Sequence, residues 1–409
     1  MGETALVAVQ LPNSQLVREL EKAWDRGEAV LPLDPKLPQP AVSMLVEELR
    51  PSALVDPSGC RPLPRSEPVA DDVSLVVMTS GTSGRPKGVE LSTRAMASAA
   101  EAVTTVLSSG RRWLCCLPLS RIAGLAILFR SQILGTKPVI HDKFDPTAIG
   151  REQDVDLISL VPAALARLLD ARVDLSGYAA VLLGGGPIPP ELLAKAKESG
   201  VRVVTTYGMT ETCGGCVHDG IPLPAVSVAV EDERILIRGP ILMNGYRLQP
   251  ELTREHLADG WFRTSDRGRL DEDGRLAVYG RLDDVITTGG VKVSPVEVEE
   301  VLSRHPRVAD AAVAGVPDEK WGQAVGALVV TVGNGAEEGR VSADALKEFV
   351  TAEAGSFHAP KVVRFVDRIP RNWAGKIVRQ DVIAELLDDP EGKPGRRRGS
   401  PSRDATGQP

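Results

Sequence analysis

MTSGTSGRPKGV, residues 78–89, brings hydroxyl side chains, glycines and one lysine together within twelve consecutive positions. The preceding DVSLVVM (72–78) is an apolar, β-branched run that predicts a buried strand. The following RAMASAAEAV (94–103) predicts a helix capped by Ser92 or Thr93. Glycines let backbone N–H groups approach an anion, hydroxyls donate hydrogen bonds, and the lysine adds positive charge. The stretch therefore predicts a phosphate-binding loop between a strand and a helix.

This loop differs from the Walker type of phosphate loop, which requires Ser or Thr directly after its lysine. Gly88 follows Lys87 in this chain. A flexible glycine–serine surface loop is the alternative interpretation. Because hydroxyl side chains, glycines and a lysine occur so densely directly after a buried strand, the phosphate-binding interpretation is favoured.

The composition of the 409-residue chain is typical of a globular protein with two or three domains. A net charge of −7 argues against a general nucleic-acid-binding surface. No apolar run is long enough to span a membrane, and the first fifteen residues lack the features of a secretory signal. Five scattered cysteines fit reduced thiols. We therefore expect a cytoplasmic protein.

The chain alternates helices and strands over residues 1–280, which predicts an α/β domain. From about Val226 short strands and turns predict a small β-rich section within it. Residues 281–284 predict a hinge, because a charged, turn-prone linker stands where the pattern changes. Residues 285–389 predict a small α+β C-terminal domain, and the low-complexity residues 390–409 predict a disordered tail.

TYGMTETCGG (206–215) follows a predicted strand, so it lies at a carboxyl strand end, where ligands bind in α/β sheets. Tyr207 offers a ring for stacking on a base, Thr210 a hydroxyl for a phosphate, and Glu211 a hard oxygen ligand for magnesium. A turn with a capping threonine is an equally weighted alternative.

Three later stretches also carry polar chemistry. GWFRTSD (260–266) places Asp266 after a tight turn, where a carboxylate can accept hydrogen bonds from both hydroxyls of a ribose; a simple hairpin aspartate is the alternative. GRLDDVITTGG (280–290) leads into Gly289–Gly290 and is the hinge candidate. PRNWAGKIVR (370–379) places Lys376 on a glycine-containing loop, although a lone lysine is usually a solvated charge.

Together the five stretches resemble the adenylate-forming superfamily, which includes acyl- and aryl-CoA synthetases, luciferases and the adenylation domains of peptide synthetases. The resemblance covers nearly all of residues 15–385 in the same order, and TSGTSGRPKGV, YGMTE, GWFRTSD and GRLDD are its specific motifs. It implies an α/β fold with a large N-terminal part of stacked α/β sheets plus a small β-barrel, followed by a small mobile α+β C-terminal domain. It also implies an AMP-forming acid–thiol ligase that uses ATP, Mg²⁺ and coenzyme A as co-substrate.

The resemblance further implies a role for each matching residue. The ATP- and AMP-binding residues would be Thr79, Ser80, Gly81, Thr82, Ser83, Gly84, Lys87, Gly184, Gly185, Gly186, Pro187, Tyr207, Gly208, Asp266 and Arg281. The catalytic residues would be Lys376, Thr210 and Glu211, with Glu211 also the magnesium ligand. Asp283 would be the hinge residue, and Gly289 and Gly290 would bind CoA.

Within the superfamily the chain is most similar to the o-succinylbenzoate–CoA ligases of menaquinone biosynthesis. The grounds are a short N-terminal part and four stretches: LPLSRIAGLAILFRS (117–131), SLVPAALARLLD (159–170), TYGMTETCGGCVHDG (206–220) and ILIRGPILMNGYR (235–247). Members usually carry a histidine or an aromatic residue where Arg121 stands. Arg121 could bind the second carboxylate of o-succinylbenzoate, or point to solvent and alter the acid accepted. The other candidates for the acyl substrate are Gly214, Gly215, His218 and Arg167.

Cys213 and Cys216 form a single C-x-x-C pair, whereas a structural zinc site requires four ligands. We interpret them as small residues on the floor of the acyl pocket. Two other functions stay open: an adenylation enzyme that loads a carrier-protein pantetheine, and a catalytically silent homologue that serves as a binding module. The expected partners are a carboxylic acid, ATP and CoA, with no nucleic acid, and a homo-oligomer stays open.

Overall fold

The computed structural model describes residues 3–80, 86–107, 111–332, 341–371 and 377–388. The chain divides into two compact units, Met1–Asp283 and Asp284–Pro409, and this division falls inside the predicted hinge, 281–284. Each unit has hydrophobic cores of its own. Among the described residues, no helix combines the length and apolar character needed to cross a membrane.

The N-terminal unit is built from three successive groups of elements. The first group is β1 (Glu3–Thr4), β2 (Leu6–Val9), α1 (Asn13–Asp25), β3 (Ala29–Pro32), α2 (Gln39–Leu49), β4 (Ala53–Asp56), β5 (Gly59–Pro62), β6 (Val69–Ala70), β7 (Val73–Ser80), β8 (Pro86–Ser92) and α3 (Thr93–Val106). The second is β9 (Trp113–Cys115), α4 (Ile122–Ile133), β10 (Val139–Ile140), α5 (Pro146–Ile149), β11 (Leu157–Leu160), α6 (Pro162–Asp170), β12 (Ala180–Gly184), α7 (Pro190–Glu198), β13 (Val203–Met209), a 3₁₀ turn (Thr210–Thr212), β14 (Gly214–His218) and β15 (Ile221–Pro222). The third is β16 (Ser227–Glu231), β17 (Arg234–Arg238), β18 (Gly245–Tyr246), α8 (Pro250–His256), β19 (Leu257–Ala258), β20 (Trp261–Leu270) and β21 (Leu276–Arg281).

The first large sheet has seven strands in the order β18-β8-β7-β3-β2-β4-β5. Strands β7, β3, β2 and β4 are parallel neighbours. Because successive side chains of a strand point to opposite faces, Leu6 and Ala8 pack with α2, whereas Val7 and Val9 pack with α1 and α3. The centre of the sheet is therefore covered on both faces, which explains why its central strands β2 and β3 are apolar throughout.

The second large sheet also has seven strands, in the order β10-β9-β11-β12-β13-β14-β15. Strands β10 to β13 run parallel, and β14 and β15 are antiparallel additions. On one face Trp113 and Leu182 join the core that contains α1, α3 and α4, and on the other face Ile158 and Leu183 pack with α6 and α7. Helices α3 and α4 thus lie between two sheets, which confirms the predicted stacking of α/β sheets.

The structure corrects the surroundings of the predicted phosphate loop. β8 follows the loop and pairs antiparallel with β7, with Lys87 opposite Thr79, so α3 begins only after a second strand. The prediction of a strand followed directly by a helix was wrong, because Val89 and Leu91 alternate along β8 into the core shared with β7. The cap is as predicted: Ser92 Oγ accepts from the Ala95 N–H at 3.2 Å.

The β-rich section predicted from Val226 onward is an antiparallel sheet with the order β16-β17-β20-β19, and β21 lies beside β20. A tight turn at Asp259–Gly260, with φ of 54° and 76°, connects β19 to β20. Asp266 lies in the middle of the long strand β20, in which Phe262 and Thr264 point inward. This sheet presents Asp266 at a fixed register opposite Arg281 of β21.

The C-terminal unit is an α+β structure. Its elements are β22 (Ile286–Thr288), β23 (Val291–Val293), α9 (Pro295–Ser303), β24 (Val308–Asp318), β25 (Gly322–Thr331), α10 (Ala343–Ala354), β26 (Val362–Phe365) and α11 (Arg379–Leu387). The sheet has the order β23-β22-β25-β24, with β26 parallel to β25. Helices α9 and α10 pack on one face and α11 on the other. Gly289 and Gly290 form the two-residue turn between β22 and β23, and their φ values of 57° and 82° explain the glycines.

Candidate active site

Three residues predicted to bind the nucleotide meet in the N-terminal unit. The Tyr207 hydroxyl, on β13, donates to Asp266 Oδ2 at 2.8 Å, and Arg281 Nη1 lies 3.8 Å from Asp266 Oδ1. Burial and the neighbouring carboxylate hold the pKa of Tyr207 above its ordinary value, so the hydroxyl remains a donor. The arrangement holds one half-buried carboxylate between a phenol and a guanidinium, where it can accept further hydrogen bonds.

The predicted adenine-binding glycines lie where β12, β13 and β14 approach closely. Gly184 ends β12 opposite Thr206, and a Cβ on it would lie 2.5 Å from the Thr206 carbonyl oxygen. A Cβ on Gly208 would lie 2.1 Å from the Gly214 carbonyl oxygen. Gly185, Gly186 and Pro187 follow β12 as an exposed turn. The carboxyl ends of β12 and β13 therefore bring this set to one edge of the sheet.

The predicted phosphate and magnesium residues are linked by Tyr246, which the sequence reasoning missed. Lys87 Nζ lies 5.4 Å from the centroid of the Tyr246 ring, and the Tyr246 hydroxyl donates to Glu211 Oε1 at 2.8 Å. Thr210 is buried at the start of the 3₁₀ turn that carries Glu211. The NGYR stretch that contains Tyr246 was the available signal. Ser80 ends β7, and Gly81, Thr82, Ser83 and Gly84 lie outside the described residues.

The donors present fit a magnesium ion that is held jointly with a nucleotide. Within the described ranges, no group of three or more His, Cys, Asp or Glu side chains could hold a metal ion by itself. Mg²⁺ is usually bound through one or two carboxylates together with phosphate oxygens and water. Glu211 is half-buried and would supply one such hard oxygen ligand, and Tyr246 contacts both Glu211 and Lys87.

Arg121, a predicted acyl-site residue, is hydrogen-bonded to the strand that enters the phosphate loop. It precedes α4, and its Nη1 donates to the Met78 carbonyl of β7 at 3.1 Å. Burial lowers the pKa of Arg121 to about 10, against the opposing influence of Asp34. Its guanidinium therefore reaches toward the strand that enters the phosphate loop.

Arg130, on α4, is an acyl-site candidate that the sequence reasoning missed. It is 4% exposed, its guanidinium lies 5.2 Å from the centroid of the Trp113 ring, and Nη1 is 3.5 Å from Ser159 Oγ. Burial lowers the pKa of Arg130 to about 10. No carboxylate among the described residues lies within ion-pair distance of it. Because a buried cation without an anion is costly, this arginine marks a place where an anion would be stabilised.

Gly214, one of the predicted acyl-site residues on β14, faces α4. A Cβ on Gly214 would lie 3.9 Å from Arg130 Nη2. His218 is 4% exposed, and neither of its ring nitrogens has a hydrogen-bond partner in the described part of the chain. Gly215 instead faces β13, since a Cβ there would lie 1.9 Å from Thr206 Oγ1. Arg167 is exposed on α6, 4.7 Å from the Phe144 ring centroid.

His218 should make the stability of the protein depend on pH. Burial, and then the charge of Arg130, lower its pKa from 6.5 to about 4, so the unfolded chain takes up the proton first as the pH falls. The stabilisation is complete above pH 6.5 and is lost toward pH 4, by about 3 kcal/mol. Denaturant unfolding at several pH values should show this loss in the wild type and a flatter dependence in His218→Gln. An equal loss in both proteins would contradict the assignment.

Cys213 and Cys216 are buried, and all five cysteines are free. Burial raises the pKa of the Cys216 thiol to about 12 and holds that of Cys213 above its ordinary value. Redox-active cysteines require a lowered pKa and exposure to solvent. The pair therefore lacks both features of redox-active cysteines and fits the interpretation of small buried residues.

In the C-terminal unit, the Gly289 turn packs on Trp321. A Cβ on Gly289 would lie 2.4 Å from Trp321 Cε3. Lys361 Nζ is 3.8 Å and Lys320 Nζ 5.2 Å from the centroid of the Trp321 ring, and the exposed Phe357 ring meets it edge-on with centroids 6.3 Å apart. These four residues, Lys320, Trp321, Phe357 and Lys361, form an aromatic and basic surface that we call the Trp321 platform.

The structure describes the predicted hinge residue, Asp283, but not the predicted catalytic lysine, Lys376. Asp283 Oδ2 accepts from Arg281 Nη2 at 3.0 Å, so the end of the N-terminal unit carries an ion pair. Lys376 lies outside the described residues. On either side of 372–376, Arg371 donates to both carboxylate oxygens of Asp310 at 2.9 Å, and Arg379 pairs with Glu299.

Comparison with known proteins gives a consistent set of matches. The AMP-binding enzyme family matches residues 56–247, and the AMP-binding enzyme C-terminal domain matches residues 297–376. The 2-succinylbenzoate–CoA ligase of Bacillus licheniformis is 36% identical over 371 aligned residues, which cover 83% of this chain and 75% of that protein.

Two solved structures of the o-succinylbenzoate CoA synthetase from Bacillus subtilis have a similar fold. The complex with the acyl-adenylate intermediate has a TM-score of 0.85 and 29% sequence identity, covering 96% of this chain and 90% of that one. The complex with ATP and magnesium ion has a TM-score of 0.82 and 28% identity, covering 93% and 89%. The similarity therefore extends over both units of the chain.

Proposed function

The chain belongs to the AMP-binding enzyme family, and on that premise we propose that it ligates a carboxylic acid to coenzyme A through an acyl-adenylate. In the first step a carboxylate oxygen attacks the α-phosphorus of ATP, the bond from that phosphorus to the bridging oxygen breaks, and pyrophosphate leaves. In the second step the CoA sulfur attacks the acyl carbon, the bond to AMP breaks, and the thiol proton passes to water. We propose 2-succinylbenzoate as the acid.

The cluster around Asp266 is assigned to the adenosine part of ATP. We assign Asp266 to the ribose hydroxyls, because its carboxylate is already held between Tyr207 and Arg281 and retains capacity to accept hydrogen bonds. We assign the adenine ring to the exposed turn formed by Gly185, Gly186 and Pro187 after β12. Gly184 and Gly208 allow the close approach of β12, β13 and β14 that brings this turn and Tyr207 to one edge of the sheet.

The phosphate end is assigned to Thr79, Ser80 and Lys87 with the loop residues Gly81, Thr82, Ser83 and Gly84. Thr210 would contact the α-phosphate, and Glu211 would hold magnesium together with the triphosphate. When bound, Mg²⁺ supplies positive charge that offsets the charge developing on the phosphates. Lys87 would add a second positive charge beside the triphosphate. Lys376 would bridge the acid carboxylate and the α-phosphate, so that these two anions can come into contact.

The observation that supports a dicarboxylic acid is the buried, unpaired guanidinium of Arg130. One carboxylate of 2-succinylbenzoate reacts, while the other remains charged and would pair with this cation. The absence of a side chain at Gly214 lets β14 lie close to Arg130 on α4, since a Cβ there would already contact three α4 side chains within 3.9 Å. His218 contributes two buried ring nitrogens without a hydrogen-bond partner among the described residues, and the charge of Arg130 lowers the pKa of His218. Arg121 would lie between this pocket and the phosphate loop, since it reaches Met78.

The acceptor thiol is proposed to approach along the Gly289–Gly290 turn. The Trp321 platform beside this turn offers an aromatic face and two ammonium groups, the chemistry that a phosphorylated adenine nucleotide requires. We therefore assign the platform to the nucleotide part of CoA. Residues 281–284, with Asp283 at their centre, are proposed as the hinge between the two half-reactions.

A panel of acids tests the proposed function directly. Pyrophosphate release is measured with 2-succinylbenzoate, benzoate, 2-carboxybenzoate and short fatty acids, each with ATP and Mg²⁺ and with or without CoA. We expect 2-succinylbenzoate to give the highest kcat/KM and an acyl-CoA product with the mass of the thioester. If none of these acids leads to the release of pyrophosphate, the proposal is contradicted.

Replacing Trp321 with alanine should weaken the second half-reaction selectively. Loss of one aromatic stacking surface typically costs about 1–3 kcal/mol, so we expect the KM for CoA to rise by about 5- to 100-fold. The rate of adenylate formation without CoA should stay at the wild-type value. Stopped-flow assays with purified acyl-adenylate and CoA separate the two steps. An unchanged KM for CoA would contradict the assignment of the platform.

A further inference from the structure

Tyr246 connects the phosphate-loop strand to Glu211. It is 5% exposed and lies on β18 opposite Val89 of β8. Lys87, two residues earlier on β8, places its ammonium group 5.4 Å from the centroid of the Tyr246 ring. The hydroxyl at the other end of the ring donates to Glu211 Oε1 at 2.8 Å. One side chain thus contacts both the cation and the carboxylate that the proposed function assigns to MgATP.

The backbone around Tyr246 fixes this side chain independently of any ligand. The Tyr246 N–H donates to Thr253 Oγ1 at 2.9 Å. On one side the Met243 N–H donates to the Glu211 carbonyl at 2.9 Å, and on the other the Arg247 N–H donates to the Gly88 carbonyl at 2.8 Å. The segment is therefore bonded both to the turn that carries Glu211 and to the strand that carries Lys87.

Glu211 has no comparable restraint from another side chain. Within the described residues, its carboxylate accepts a hydrogen bond from Tyr246 and from no other donor. A magnesium ion demands nearly octahedral geometry, so the orientation of a carboxylate ligand determines how well it binds. Groups that orient a metal ligand from outside the coordination sphere commonly change metal affinity by about 10- to 100-fold.

We propose that Tyr246 is a positioning residue for magnesium, whose hydroxyl orients Glu211 and leaves its second oxygen to the metal ion. The ring supports Lys87 beside the same triphosphate, so the cation and the metal ligand are set by one side chain. This inference rests on the proposed function, because it takes Glu211 as the magnesium ligand. It adds to the proposed function a residue, Tyr246, that orients Glu211 and lies outside the motifs that carry the assigned site residues.

Tyr246→Phe tests the role of the hydroxyl, because it keeps the ring and the contact with Lys87. Electron paramagnetic resonance of free Mn²⁺ measures metal binding to the full chain with a non-hydrolysable ATP analogue. We expect the Kd for Mn²⁺ to rise by about 10- to 100-fold. The Mg²⁺ concentration for half-maximal pyrophosphate release should rise by a similar factor, and excess Mg²⁺ should restore most of the rate. Binding of the metal-free analogue should not change.

Tyr178→Phe is the matched control. Tyr178 is also buried, in the core between the second sheet and α6, and its hydroxyl has no hydrogen-bond partner among the described residues. Its removal should leave Mn²⁺ affinity unchanged. In a Glu211→Gln background, Tyr246→Phe should cause no further loss of Mn²⁺ affinity, because the carboxylate it orients is gone.

The outcomes separate this inference from the proposed function. An unchanged Mn²⁺ affinity in Tyr246→Phe overturns the role of the hydroxyl, and so does an equal loss in both tyrosine variants. A full additional loss in the Glu211→Gln background overturns it as well, since Tyr246 would then act elsewhere. If the wild type fails to release pyrophosphate with every acid of the panel, the proposed function fails. The Mn²⁺ measurement would still report on the role of Tyr246 toward Glu211.

Discussion

Replacing Lys376 with alanine is expected to lower adenylate formation by about 100- to 1,000-fold and to leave thioester formation from supplied acyl-adenylate at the wild-type rate. The first half-reaction brings two anions together, the acid carboxylate and the α-phosphate. A preorganised ammonium group stabilises the charge that develops between them, and its loss raises the barrier. The second half-reaction starts from a neutral acyl carbon bound to AMP and does not require that cation.

The substitution should leave the C-terminal unit folded. Although 372–376 lie outside the described residues, both flanks are anchored: Arg371 to Asp310, and Arg379 to Glu299 and, at 3.6 Å, to Asp284. The Val378 N–H also donates to the Pro370 carbonyl at 3.1 Å. None of these contacts involves the side chain of Lys376, so thermal unfolding should be unchanged.

Lys347→Ala provides the control for a simple loss of charge. Lys347 is exposed on α10 in the same unit, and its alanine variant should keep both half-reactions. Single-turnover assays measure adenylate formation as pyrophosphate release and thioester formation from purified acyl-adenylate. Equal losses of both half-reactions in Lys376→Ala would reject the assignment of this lysine to the first step.

The sequence predicted those features of the fold that depend on local pattern. The apolar run before the phosphate loop, the cap at Ser92 and the glycine turn at Gly289–Gly290 each follow from the preferences of neighbouring residues. The error at the loop has a local cause too. Lys87 to Ser92 is short and mixed in polarity, so only its pairing with β7 identifies it as a strand.

The candidate site could be predicted only where the motif itself carries the residue. Asp266, Glu211 and Arg281 belong to such motifs. Arg130 lies within the apolar helix IAGLAILFRSQI, and its burial depends on how α4 packs on Trp113 and Ser159, which are distant in sequence. Trp321 beside Gly289 and Tyr246 beside Glu211 are likewise long-range neighbours. Periodicity and spacing contain no information about such pairs.

Replacing Arg130 with methionine is expected to lower kcat/KM for 2-succinylbenzoate by about 100- to 4,000-fold while kcat/KM for benzoate stays the same or rises. Removal of one member of a buried charge pair typically costs about 3–5 kcal/mol, because the remaining charge is left without its partner. Here the remaining charge would be the second carboxylate of the bound acid. Benzoate has no second carboxylate, so methionine at this position should accommodate it at least as well as arginine does.

The same substitution is expected to stabilise the free protein, by about 1–2 kcal/mol in the free energy of unfolding. The wild type buries a guanidinium that has a ring and a hydroxyl nearby but no described anion, and methionine of similar length removes that cost. A gain in stability together with a loss of activity distinguishes ligand recognition from damage to the fold, which would lower both.

Arg167→Met, on the exposed face of α6, is the matched control and should change neither quantity. Steady-state kinetics with both acids and denaturant unfolding at pH 7.5 measure the two effects. If Arg130→Met loses activity equally with 2-succinylbenzoate and benzoate, the arginine does not recognise the second carboxylate. If it also loses stability, Arg130 is a structural cation whose partner lies within the protein, and the dicarboxylic acid must be held elsewhere, with Arg121 the next residue to replace.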